Sequence, residues 1–469
     1  MVPRGQAASF KPWRLMKRTA RRTCWVSLLV FVCILFLGFY LRTISATGTL
    51  VIQPFRADAS NYVMYAYNLR YKQTYSREIG NPQDLHSPVA PDAVRPPGYP
   101  LFLTLFMDGL PSISIAKRIV MTQVLLSSVT VIIAFLIFNR FLFAFFAGAG
   151  ALLVALSPHL IVANSYILTE TLFGFTLTVM VWMTSFLPSR PSLKLAGCIG
   201  LLTGLASLVR SSLQYFPLLF VIFFVFHFGW RKGGKLAGMV ILGFILCFSP
   251  WVIRNMHTLG VTSDNTLMVN FLHHGMYPDF TYDEIKESRG FPYRYDPRAS
   301  EISRDTSSVL KELSRRFSEE PGKHLRWFIL GKPVAFWSWN TVQGVGDAFI
   351  YPVSQSPYFY DPYFRWSHHL MHGLHWPTVI LAFFGCLMAW FPLSRMGMKD
   401  NSVFAARVTS LLLIYYTTLH VIGAPFPRYS IPLRPFLYGL SLFPFYLLIL
   451  SVKSRFKGKI EQHPPQAMH

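Results

Sequence analysis

Apolar residues run through this chain in blocks long enough to cross a bilayer. A hydrocarbon core about 30 Å thick takes roughly 20 apolar residues as a helix, and ten windows approach that length. They are 24–41, 119–138, 141–157, 167–187, 193–209, 213–229, 236–253, 376–393, 403–422 and 435–452. The pattern predicts an all-α polytopic membrane protein with about ten transmembrane helices and two large outer loops containing interfacial helices. It divides the chain into a basic tail (1–23), a transmembrane module (24–254) that includes a first outer loop (43–116), a second large outer loop (255–372), C-terminal transmembrane helices (373–452) and a short tail (453–469). Neither an internal repeat nor a low-complexity run beyond the tails is visible.

The loops have patterns of their own. Residues 59–72 place Tyr62, Tyr65, Ala66 and Leu69 at helical spacing, which predicts a helix lying in the interface with its tyrosines at the headgroups. In "RPPGYPLFLTLFM", 95–107, two prolines and a glycine forbid helix at the start, and the apolar run is too short to span, so it is expected to dip in or lie flat. A helix is expected at 299–317. The Trp-rich stretch "LRWFILGKPVAFWSW", 325–339, is interrupted by Pro333 and is expected to be interfacial or re-entrant.

Charge fixes the expected orientation. Of the 469 residues 52% are hydrophobic and only 14% charged, yet the formal net charge is +23. Nucleic acid is not implied, because the basic residues follow the topology. With a cytoplasmic N-terminus, the tail 1–23 and the linkers at Arg140, Arg190/Lys194, Arg231/Lys232/Lys235 and Arg395/Lys399 fall on one side, with Asp400 and Glu461 as that side's acids. This is the positive-inside bias, and it puts both large loops outside and both termini in the cytoplasm. The N-terminal region reads as a retained signal anchor. All five cysteines lie in or beside predicted helices, so no disulfide framework is expected.

Charges inside membrane helices are costly, and here they gather at the outer helix ends. Glu170 begins a predicted helix, Arg210 and Arg254 end two others, and Arg428 and Arg434 open the last. With Arg56 and Asp58 they place two acids and several arginines at one face, near the depth of lipid phosphates. Each has a plainer reading too: Asp58 or Glu170 as a helix N-terminal residue, Arg254 or Arg428 snorkelling to headgroups. Together they describe an outward-facing site for a phosphate-bearing lipid, since a guanidinium offers paired donors to phosphate oxygens. His368, His372 and His375 in "WSHHLMHGLHW" share a helical face, as a metal site or as an ordinary membrane-surface segment. No Asp-x-Asp, HExxH, Walker loop or GxSxG is present.

These residues resemble signatures of the C-type glycosyltransferases, integral-membrane enzymes that use polyprenyl-phosphate sugars, in the branch with the protein O-mannosyltransferases, the aminoarabinose transferase of lipid A and lipopolysaccharide sugar transferases. "FRADASNYVMYAYNL" is similar to the family's first-loop acidic motif, "RPPGYPLFLTLF" to its Pro-Pro-Gly-Tyr-Pro segment, and "SPHLIVANSYILTETLFGF" to its second outer loop. "GLASLVRSSLQYFPLLF", "SPWVIRNMHTLG" and "PRYSIPLRP" resemble later signatures, in order. The resemblance implies Asp58 as the acid-base residue or a metal-contacting carboxylate, Glu170 as the second acid, and Arg254 and Arg428 as contacts to the donor phosphate or holders of the loops around it. Arg56 and Arg210 join the expected phosphate site. In protein O-mannosyltransferases an Asp-Glu pair stands in the first loop, whereas Ala59 follows Asp58 here, so a lipid or glycan acceptor is expected before a protein.

The expected reaction is displacement of a lipid phosphate from an anomeric carbon by an acceptor hydroxyl, with inversion. Asp58 takes the proton and the arginines, with or without a divalent cation, stabilise the leaving phosphate. The expected setting is the outer face of a bacterial inner membrane. The alternative is a lipid or glycolipid transporter, which would call for midplane ionisable groups or inverted repeats.

Overall fold

The computed structural model describes residues 12–80, 87–341 and 346–462, with side chains from Leu29 onward except Arg395 and 453–462. The basic side chains of both tails therefore lie outside the described residues. The protein is an all-α multi-pass membrane protein.

The first helix, α1 (Pro12–Gly48), leads to strand β1 (Leu50–Val51) and to two short helices, α2 (Asp58–Tyr71) and α3 (Gly98–Thr104). Seven helices follow: α4 (Ile113–Phe141), α5 (Ala144–Leu156), α6 (Pro158–Val162), α7 (Glu170–Thr184), α8 (Leu193–Val209), α9 (Phe216–Phe228) and α10 (Trp230–Leu259). The second large loop contains α11 (Thr266–Gly275), α12 (Ala299–Ile302), α13 (Thr306–Glu319), α14 (Pro321–Arg326), α15 (Lys332–Phe336), strand β2 (Val353–Gln355) and α16 (Pro357–Tyr360). The chain closes with α17 (Pro362–Met388), α18 (Asp400–Ile422), α19 (Arg434–Ser441) and α20 (Phe443–Gln462).

Each of the ten apolar windows overlaps helix, with 435–452 divided between α19 and α20 at Leu442. Among the described residues seven helical stretches are long and apolar enough to cross a membrane, or eight if the pair 144–156 and 158–165, bent by 51°, is one span. The bend follows from sequence: Ser157 precedes Pro158 and takes an extended conformation, as the proline ring requires of its neighbour. Ser112 and Ser192 cap α4 and α8 by accepting from Ile115 N and Leu195 N.

Three loop segments differ from expectation. Helix α3 starts at Gly98, inside the Pro-Pro-Gly motif expected to forbid it, because proline is tolerated in a helix's first turn. Helix α2 is part of the protein core, with Tyr62, Tyr65 and Tyr67 buried. Tyr65 stacks on Tyr75 and donates to Asp92, and Tyr62 meets Tyr99 edge-on. Tyrosine suits any boundary with one apolar and one polar side, and here that boundary is another loop, not a headgroup layer. The helix expected at 299–317 is broken: Asp305 caps a fresh start by accepting from Ser308 N at 2.8 Å.

Three contacts bring the outer loops together over the bundle. Strands β1 and β2 pair antiparallel, Leu50 opposite Gln355, just before Asp58. Gly98 lies so close to the end of α8 that an added Cβ would meet the Leu208 carbonyl carbon and Val209 N at 2.6 Å, so the glycine of the Pro-Pro-Gly motif sets this approach. Gly275 in the second loop similarly abuts Gly423, where a Cβ would meet the Gly423 carbonyl oxygen at 2.2 Å. The run 321–336 is helical with a π-helical turn at 327–331. It exposes Leu325, Ile329, Leu330 and Val334, an apolar face suited to an interfacial helix. Its buried Lys332, whose pKa burial pushes down to about 6, donates to the carbonyls of Val421 and Ile422 at the end of α18.

Candidate active site

Asp58 and Glu170 are each the first residue of a helix, α2 and α7, and neither is used as a cap. The N-cap positions belong to Ala57 and Thr169, and neither makes a side-chain capping bond. The carboxylates turn to arginines instead. Asp58 Oδ1 accepts from Arg95 Nη2 at 2.6 Å and Oδ2 from Arg428 Nη1 at 2.8 Å. Glu170 Oε1 accepts from Arg428 Nε at 2.6 Å and from Arg210 Nη2 at 3.3 Å. Arg428 thus bridges two acids that are 112 residues apart in sequence.

Local structure aims each group. Arg210 follows α8 in extended backbone, Arg428 lies in the 3₁₀ stretch Pro427–Leu433, and Arg95 precedes the proline pair that opens α3. Arg95 lies over the Tyr62 ring at 5.5 Å and Arg210 over the Tyr429 ring at 4.6 Å. Exposure rises along the network: the Glu170 side chain is 0% exposed, Arg428 11% and Asp58 28%. Burial by itself would raise the Asp58 pKa, but Arg428 and then Arg95 outweigh it and hold the carboxylate below its usual range. Arg95 Nε and Arg210 Nη1 are buried without a partner.

The backbone before Asp58 is strained. Ala57 has φ 49° and ψ −120°, a region L-residues rarely adopt. Ala57→Val is expected to lower stability by about 1–3 kcal/mol, with Ala57→Gly at or above wild type; thermal unfolding of both variants in nanodiscs checks this.

The remaining expected site residues lie apart from the network. Arg56 places its guanidinium 5.6 Å from the centre of the Tyr351 ring. Arg254 donates to the carbonyls of Asp92 and Tyr75 at 2.8 and 3.2 Å and so braces the first loop. Arg434 reaches His375 and the Ser338 carbonyl. The histidines are occupied as well: His368 pairs with Asp347 at 2.7 Å and His375 with the Trp337 carbonyl at 2.7 Å. Two members escaped sequence reasoning. Arg95 stood inside a motif read for its prolines, and Tyr351, whose buried hydroxyl lies close to Asp58, arrives from the second loop with no local signal.

A divalent cation does not fit this donor set. Both Asp58 oxygens and Glu170 Oε1 already accept from guanidiniums, and three arginines against two acids leave a positive surplus that repels a cation. Among the described residues no group of three or more His, Cys, Asp or Glu side chains is placed to hold a metal ion.

Comparison with solved structures identifies the architecture. The archaeal oligosaccharyltransferase AglB from Archaeoglobus fulgidus, in complex with an inhibitory peptide and a dolichol-phosphate, superposes with a TM-score of 0.50 at 10% identity over 95% of this chain and 53% of that one. The chain shares its fold with the membrane part of these structures at this level of similarity. The apo form of the Archaeoglobus fulgidus enzyme gives 0.50 at 11% identity, over 92% and 52% of the two chains. This chain spans about half the length of both. ArnT from Cupriavidus metallidurans, bound to undecaprenyl phosphate, has a TM-score of 0.40 at 13% identity, over 95% of this chain and 81% of that one. No family model matches the sequence, and no curated protein sequence matches it. The likeness is one of fold, at 10–11% identity.

Proposed function

We propose that the protein is a membrane glycosyltransferase that moves a sugar from a polyprenyl-phosphate donor to a lipid or glycan acceptor at the outer face of a bacterial inner membrane, with both termini cytoplasmic. The observation that carries this reading is the bridge made by Arg428, with Arg95 and Arg210 flanking it. Three guanidiniums against two carboxylates leave a positive surplus and unpaired N–H groups, the complement of a phosphodiester anion. The shared fold supports it, and AglB was solved with a dolichol-phosphate.

The same geometry orders the chemistry. A lipid phosphate competes with Asp58 for Arg95 and Arg428, so donor binding frees the carboxylate and partly neutralises the cations that depress its pKa. Asp58 then accepts the proton of the acceptor hydroxyl as that oxygen attacks the anomeric carbon. The C–O bond to phosphate breaks, and the leaving phosphate meets the arginines. Inversion follows from a single displacement. Glu170, fully enclosed, is assigned to holding Arg428. Tyr351, neutral because burial pushes its pKa up to about 12, is a hydroxyl donor beside Asp58. Arg56 and Arg254 support the loops.

Mass spectrometry of membrane lipids and glycans from cells with and without the gene tests the reading. The expected result is a polyprenyl-phosphate sugar that accumulates on deletion and an acceptor lacking one residue; unchanged pools of both would overturn it.

A further inference from the structure

Glu170 is only half satisfied. Arg428 and Arg210 share Oε1, while Oε2 is buried and has no partner among the described residues. Enclosed carboxylate oxygens in native proteins are normally met by a donor or an ordered water. Glu170 also lines a cavity of about 20 Å³, room for about one water. The other polar groups lining it are Arg42, Ser127, Thr130 and Thr171.

The hydrogen-bond capacity left in this lining matches one water. Arg42 is fully buried in α1, and among the described residues no carboxylate pairs with it. Its Nε donates to Ser127 Oγ at 2.7 Å, and its Nη atoms donate to the carbonyls of Gly38, Ala155 and Val154 at 3.0, 3.1 and 3.0 Å. Ser127 therefore keeps its own proton to donate. Thr130 Oγ1 gives its proton to the Leu126 carbonyl and Thr171 Oγ1 to Asn164 Oδ1, so each keeps a lone pair. A water accepting from Ser127 and donating to Glu170 Oε2 and to one of the two threonines uses the free Ser127 proton and satisfies Oε2.

We infer that this cavity is a water site and that Arg42, Ser127 and the water form a second support for Glu170, making Arg42 and Ser127 positioning residues that act through Glu170 on Arg428. The donor bond from a cation onto Ser127 Oγ strengthens its O–H as a donor in turn. The buried charge of α1 thereby reaches the acid that holds the bridging arginine. The inference rests on the reading of Glu170 as the holder of Arg428.

The test uses the full chain in nanodiscs. A high-resolution map of the wild type is expected to show water density between Ser127 Oγ and Glu170 Oε2, absent in Ser127→Ala. Ser127→Ala is expected to lower kcat for sugar transfer about tenfold with KM for the lipid-phosphate sugar little changed, a misplacement effect, and Ser127→Thr, which keeps the hydroxyl, to restore most of it. An empty wild-type cavity overturns the inference, as do wild-type kinetics in Ser127→Ala or a threonine variant as slow as the alanine one. If the wild type moves no sugar at all, the catalytic reading fails while the map still decides the water site.

Discussion

Asp58→Asn is expected to reduce sugar transfer by about 10²- to 10⁴-fold, the usual worth of a general base, without weakening the binding of a polyprenyl phosphate. The substitution removes the proton acceptor and one negative charge while leaving Arg95, Arg210 and Arg428 in place, so the site becomes more attractive to an anion as it loses its chemistry. Purified protein, turnover assays and a lipid-binding titration check both halves. The pH profile adds a sharper mark. In the free enzyme the arginines hold the Asp58 pKa down, so the stability its ionised form contributes is present above the ordinary carboxylate range and is lost only as pH falls through the depressed value. In the substrate complex the donor phosphate neutralises part of that positive field. The acid limb of kcat is therefore expected at higher pH than that of kcat/KM, since the first reports the complex and the second the free enzyme. Asp58→Asn should lose this limb from both. Turnover at the wild-type rate would remove Asp58 from the mechanism.

The helical, membrane-spanning character of the bundle was legible in the apolar runs, because a bilayer imposes one length and one satisfied backbone on every span. The acids were legible for a related reason: Glu170 at the mouth of an apolar helix has few structural uses. What sequence could not supply was partnership. Tyr62 and Tyr65 had the spacing of an interfacial helix, but headgroups and a folded loop present similar mixed surfaces, and only the placement of Tyr75, Tyr99 and Asp92 distinguishes them. Arg56 was chosen because it is two residues from Asp58, yet it lies before the helix with its guanidinium over the Tyr351 ring, and Arg95, 37 residues away, takes the carboxylate. The break before Thr306 was readable, since Asp305 followed by Thr-Ser-Ser is an N-cap signal. The histidines of α17 were spaced like ligands, but the second loop supplies carbonyl and carboxylate partners that no helical wheel contains.

Arg428→Met is expected to be the most damaging single change at the site, in stability as well as activity. The guanidinium supplies the 2.6 Å bond to Glu170 and the 2.8 Å bond to Asp58, so its loss leaves the enclosed Glu170 with Arg210 alone at 3.3 Å. Removing one partner of a buried pair costs about 3–5 kcal/mol, chiefly because a charge is left behind unpaired. Arg428→Lys keeps the charge but not the fork: one ammonium cannot serve both Nε and Nη1 geometries, so folding should be largely kept while transfer falls. The decisive measurement is a double-mutant cycle. If the penalty comes from the stranded carboxylate, Glu170→Gln placed on Arg428→Met should recover part of the lost stability, since an amide is less costly to bury than an unpaired anion. Strict additivity of the two substitutions would mean that the pair is not coupled, and the bridge would then lose its standing as the element that holds the site together.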